Sequence, residues 1–161
     1  VATRFILTPY AAEFAGLTNY PQLTTVNGIP VLAYDAATNE TAVWSFRLPS
    51  GWTGTPALVV YGFMASATSG DIDMDCSVMA VTPGDALDLD SATSYDAVNS
   101  TDNTVVPAVA GYLFVVVMAT LTNFDGGAAG DFVRLQLTRD AVSDTAAGDF
   151  YVVSVVLGDG A

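Results

Sequence analysis

Carboxylates are the groups in this 161-residue chain with any reach towards chemistry, because histidine and lysine are both missing. Imidazole bases, Schiff-base amines and imidazole metal ligands are therefore absent. Cys76 is single, which excludes an intrachain disulfide and a cysteine-built zinc site. It falls on the apolar face of an alternating segment, the setting of an inert core thiol. Asp71, Asp73 and Asp75 superficially resemble the start of a calcium loop, and Asp85, Asp88 and Asp90 form a second cluster. On an extended strand, alternate residues lie about 6.5–7 Å apart, too far for one ion to gather three short side chains. An EF-hand loop also needs glycine at its sixth position, where Cys76 stands, and a late glutamate. The first cluster is thus expected to be a solvated outer face that discourages edge pairing. The second, at the start of a long polar stretch, is the weak candidate for calcium. Glu13 and Glu40 are the only glutamates, and neither sits in a recognisable glycosidase setting. The expectation is a non-enzymatic protein with no cofactor, calcium at 85–90 being the one low-ranking exception.

Aromatic residues are the other candidates. Trp44 and Phe46 alternate with polar neighbours and are expected in the core. Trp52, in the loop PSGWTG, suits a cap on an open end or contact with a partner subunit, and less well a stacking platform for a sugar. Tyr10, Phe14 and Tyr20 are spaced too widely for one helix face. As anchors on an extended segment, they point to protein–protein contact.

The five letters AAGDF occur at 128–132 and again at 146–150, each time ahead of an apolar run. A phosphate-cradling loop would be followed by a helix and usually a lysine. Here the pattern continues as strand. The repeat is expected to be one turn-to-strand opening used twice, in neighbouring strands, with Arg139 close to Asp140 or Asp144.

Charge narrows the partners. Seventeen acidic residues against four arginines give a net charge of −13, which argues against a duplex nucleic-acid surface and against anionic membranes. The longest uninterrupted apolar stretch, 112–119, is far short of the roughly 18 residues of a membrane span.

The elements that must hold these residues are strands. Valine occurs 21 times and threonine 18 times, both at home on a pleated surface. Period-2 alternation marks strands at 71–81, 44–48 and 133–138. Segments 57–65, 112–121 and 150–157 are apolar on both faces, which predicts central strands covered on both sides. With 4–8 and 29–34 this makes about eight strands separated by turn residues. The predicted fold is all-β: a two-sheet antiparallel sandwich, jelly-roll-like, in one domain over 1–161. Residues 9–28 are expected as an extended arm and 83–109 as a long functional or interfacial loop.

Three stretches carry a resemblance: LAYDAATNETAVWSFRLPSGW at 32–52, SATSGDIDMD at 66–75 and GDFVRLQLTRDAVSDTAAGDF at 130–150. Together they resemble β-sandwich virion proteins of tailed phages, most closely jelly-roll head decoration, or cement, proteins. The resemblance implies a protein on the capsid exterior that bridges capsomers, contacts the major capsid protein and assembles as a homotrimer. Tyr10, Phe14, Tyr20 and Trp52 would be its interface residues. The acidic balance suits an outer surface better than contact with packaged DNA. The rivals are a tail- or fibre-associated sandwich and a carbohydrate-binding module using Trp52.

Overall fold

Ten strands occur among the residues described by the computed structural model, which are 3–14, 16–87, 89 and 94–159. They are β1 (Thr3–Leu7), β2 (Gln22–Val26), β3 (Ile29–Tyr34), β4 (Glu40–Arg47) and β5 (Ala57–Met64). There follow β6 (Asp71–Val81), β7 (Asn99–Val105), β8 (Phe114–Met118), β9 (Phe132–Arg139) and β10 (Phe150–Gly158). One sheet has the order β2-β3-β10-β5-β8, with β1 pairing β10 beyond the end of β3. The other has the order β4-β9-β6-β7. Four antiparallel pairs are nested in the chain: β3 with β10, β4 with β9, β5 with β8 and β6 with β7. A long hairpin rolled across two sheets produces that nesting, and this is a jelly roll. Among the described residues, no helix is long and apolar enough to cross a membrane.

The alternation in the sequence decides which side of each strand turns inward. Leu58, Val60, Val152 and Val155 of the larger sheet meet Ile72, Met74, Val78 and Leu135 of the smaller one, all fully buried. Each such aliphatic side chain contributes about 1.5–3 kcal/mol on burial. Trp44 is buried as expected, its indole N–H donating to the Thr8 carbonyl at 3.0 Å. Phe46 is half-buried against Phe5. At Gly62 the chain passes close to a ring: a Cβ there would lie 2.4 Å from Phe150, so only glycine lets that ring settle on β5.

Both segments expected to be irregular contain strands. The stretch 9–28 is a 3-10 turn (Pro9–Ala11), a crossing to β4, and then β2, which forms a hairpin with β3. The two-residue turn is Asn27-Gly28, with φ of 48° and 80°, the left-handed pair that twists with the strands. Residues 83–109 contain β7, an almost wholly polar edge strand whose partners lie on β6. Neither strand shows the apolar alternation that marks the others, because neither presents a full face to the core.

Both AAGDF copies open a strand after a positive-φ glycine, at Gly130 (97°) and Gly148 (89°). In each, the aspartate carbonyl accepts the N–H just past a neighbouring strand, Asp131 from Leu48 at 2.9 Å and Asp149 from Ala65 at 2.9 Å. The strands they open are not neighbours, however. β9 and β10 lie in opposite sheets, and 140–149 is an arch between layers rather than a hairpin turn. Arg139 spans that arch to Asp144, 2.5 Å away.

Candidate functional site

Charge is partitioned between the two sheets. Strands β2, β3, β5, β8 and β10 contain no aspartate, glutamate, lysine or arginine. β1 adds only Arg4, near its start. The smaller sheet carries Glu40, Arg47, Asp71, Asp73, Asp75, Asp102, Arg134 and Arg139. Register sets the outward side of the larger sheet. Val117 lies opposite Val59, which lies opposite Val156, and Val156 lies opposite Ile6. Two steps along, Val115 faces Tyr61; further on, Phe63 faces Tyr151 in an edge-on ring contact. These residues point away from the core, and no layer of the described chain covers them. Ile6 is 64% exposed and Val117 48%. Beside them a groove of about 470 Å³ is lined by Val26, Ile29, Phe63, Leu113 and Val153. Leu113 is 62% exposed at its rim.

The sequence pattern of strands apolar on both faces predicts cover on both sides, and among the described residues that cover is not there. Their second face is the outside of the molecule, and β8 is an edge. The apolar runs at 57–65, 112–121 and 150–157 are real; what is absent among the described residues is a third layer to use them.

The expected interface residues are dispersed. Tyr10 is 70% exposed on the 3-10 turn. Phe14 is half-buried and stacks on Tyr20 at 5.3 Å, and Tyr20 stays exposed. Their segment is tied to the chain's own β4. Glu13 bridges Val43, the Asn19 carbonyl accepts the Thr41 N–H at 3.1 Å, and the Glu13 carboxylate accepts from Ser45 and Arg134. It thus covers an edge of its own sandwich rather than hanging free as a strap. Trp52 is 6% exposed, stacked on Phe124 at 6.0 Å and tilted against Phe5 at 6.2 Å. It caps the end of the sandwich and has no open ring face for a sugar.

The acidic side has its own geometry. Asp73, expected on a solvated face, is buried. β7 has one residue more than β6 between Thr101 and Thr104, and the extra residue puts Asn103 at φ 59°. The freed Asn103 N–H donates to the Asp73 carboxylate at 2.5 Å, so this side chain closes a β-bulge. The Asp75 carboxylate accepts from Ser100. Burial, followed by the nearby Asp140, Asp102 and Asp73, raises its pKa above the usual carboxylate value. Asp85 accepts the Thr82 N–H at 3.1 Å, closing the Pro83-Gly84 turn on itself. Asp88 and Asp90 lie outside the described residues. Among the described residues no group of three or more acidic or cysteine side chains is arranged around one point. Burial raises the Cys76 thiol far above its ordinary value.

Sequence reasoning also missed Asn99 as a tie. Its amide donates to the carbonyls of Cys76 and Asn123 and accepts the Asn123 N–H, joining β7 to the loop after β8. No protein-family model matches this chain, and no curated protein matches it significantly.

Proposed function

We propose that this protein is a non-enzymatic structural subunit of a tailed-phage virion, a decoration protein on the capsid exterior that stabilises the shell by bridging capsomers. The observation that carries the proposal is the uncharged outer face of the larger sheet. A chain with a net charge of −13 that keeps five strands of one sheet free of charged residues is built to be a part of something larger. The remaining surface is acidic, which suits a layer facing solvent and repels packaged DNA. The jelly roll is compatible with this role without implying it, since the same fold also serves lectins. The carbohydrate-binding reading loses its residue, because the Trp52 ring is covered on the inside of the molecule. The major capsid protein is the proposed partner, and the homotrimer is the assembly implied by the resemblance.

Immunogold labelling of particles from a producing culture tests the assignment. Dense, regular label over heads is the expected result. Label confined to tails would move the protein to the tail or fibre; particles without label would remove it from the virion.

A further inference from the structure

We infer that the uncharged outer face of the β2-β3-β10-β5-β8 sheet is a homotypic seam, covered in solution by a second copy of this chain. This deepens the assembly-subunit proposal and rests on it, but not on the identity of the particle.

Three observations choose the occupant. The first is charge. Two copies each carrying −13 repel across any surface that bears carboxylates, and this face is the extensive surface whose strands bear none. A basic partner would be drawn to the opposite sheet, where Asp71, Asp75 and Asp102 lie, and would gain nothing here. The second is area. Five strands about 4.8 Å apart, five to nine residues long at about 3.3 Å per residue, present a face of about 500 Å² per copy. A face-to-face pair then buries about 1,000 Å², which just reaches the size a specific interface needs and falls in the weaker, reversible class. The third is the free edge. The chain covers β4 with the Glu13 segment and blunts β7 with a bulge and Asp102. β8 (FVVVM) and β2 (QLTTV), the outer strands of the larger sheet, have neither charge nor proline, and among the described residues no strand pairs with their outer edges. A bare valine edge next to an apolar face is an aggregation hazard unless association buries it in a closed form. The groove and its exposed rim residue Leu113 supply a hole and a knob on one surface, the self-complementary relief that a symmetric contact requires.

Sedimentation velocity on the purified chain, without capsids, tests the seam. A mass of two chains of 16.7 kDa is expected at micromolar concentration; a mass of three, the homotrimer implied by the resemblance, cannot be closed by a face-to-face pair and would overturn the seam. Val117→Glu puts a carboxylate in the middle of β8 on this face and is expected to weaken association at least about 100-fold, roughly the effect of burying an unpaired charge. Leu113→Asp, off the strands, makes the same test where strand pairing is untouched. Asp102→Lys on the acidic sheet should leave the oligomer unchanged. A wild-type chain that is monomeric throughout, or variants at 117 and 113 that still associate like wild type while folded by circular dichroism, would overturn the seam. The failures are distinguishable. A monomer that still labels heads sinks the seam and keeps the decoration role, whereas an oligomer absent from particles does the reverse.

Discussion

Arg139 shows what a single buried charge demands. Its side chain has no solvent exposure, so every donor needs an acceptor. The Asp144 carboxylate accepts from Nε at 2.5 Å; the carbonyls of Tyr34 and Gly148 accept from Nη1 and that of Ala146 from Nη2, at 2.8–3.1 Å. One guanidinium thereby fastens the end of β3 to the arch between the sheets. Arg139→Met should cost about 3–5 kcal/mol, chiefly because Asp144 is left buried without its partner. Urea unfolding reads the loss, and adding Asp144→Leu should recover most of it; a single-variant cost below about 1 kcal/mol would mean the pair carries no such penalty. A partner for Arg139 at Asp140 or Asp144 was legible in the sequence because both lie within five positions of it; the arch between the sheets selects Asp144. The three carbonyls were not, since backbone acceptors carry no residue signature. Cys76 makes the complementary case. Burial, aided by the Asp75 charge, pushes its thiol up and out of thiolate chemistry. A thiol reagent should label nothing in the native protein and one group per chain in denaturant; stoichiometric native labelling would contradict the core position.

At the scale of elements, period-2 alternation was legible wherever a strand has one face in the core and one outside, as in β6 and β9. It failed for β2 and β7, for two different reasons. β2 contributes glutamine, two threonines, the half-exposed Leu23 and Val26 at a sheet margin, so its best signal was the Asn27-Gly28 turn and not its own residues. β7 is held by side chains reaching across: Asp73 to the Asn103 N–H, Ser100 to Asp75, and Asn99 to Cys76. Polar strands of this kind look like loops to any hydrophobic pattern. Asp73→Ala removes the acceptor from a half-buried N–H and should destabilise the protein by about 1–3 kcal/mol. The loss should be local as well as global, with hydrogen exchange at Asn103 and Thr104 rising more than exchange in β9. Equal protection of Asn103 in both proteins would show that the bulge closes without the carboxylate. The face of the larger sheet escaped in another way. Its strands were visible as apolar on both sides, but a sequence does not say whether a second layer comes from the same chain.

For the molecule as a whole, the same charge partition governs stability. The acidic residues are kept off five strands of the larger sheet, and several of them crowd one another elsewhere. Burial raises the Asp75 carboxyl, with Asp140, Asp102 and Asp73 adding to the rise. Burial also raises Glu40, with Asp35 and Asp149 adding. A carboxyl raised on folding holds its proton in the native state at pH values where the unfolded chain has lost it. Between the ordinary carboxylate range and those raised values, the native state therefore binds more protons, and stability increases as pH falls. Asp140 runs the other way: hydrogen bonding from Ser143, then from Asn39, holds it below its usual value. Its contribution is lost only at pH below the ordinary range, after the gain from Asp75 and Glu40 is complete. The melting temperature at fixed protein concentration should thus rise as pH falls from neutral towards the ordinary carboxylate range, then turn over below that range. Added salt at about pH 7 should reproduce part of the rise by screening the crowded carboxylates, and should do less at about pH 5, where fewer are charged. A melting temperature that falls steadily from neutral pH downward would mean that paired carboxylates, of the Asp140 kind, outweigh the crowded ones.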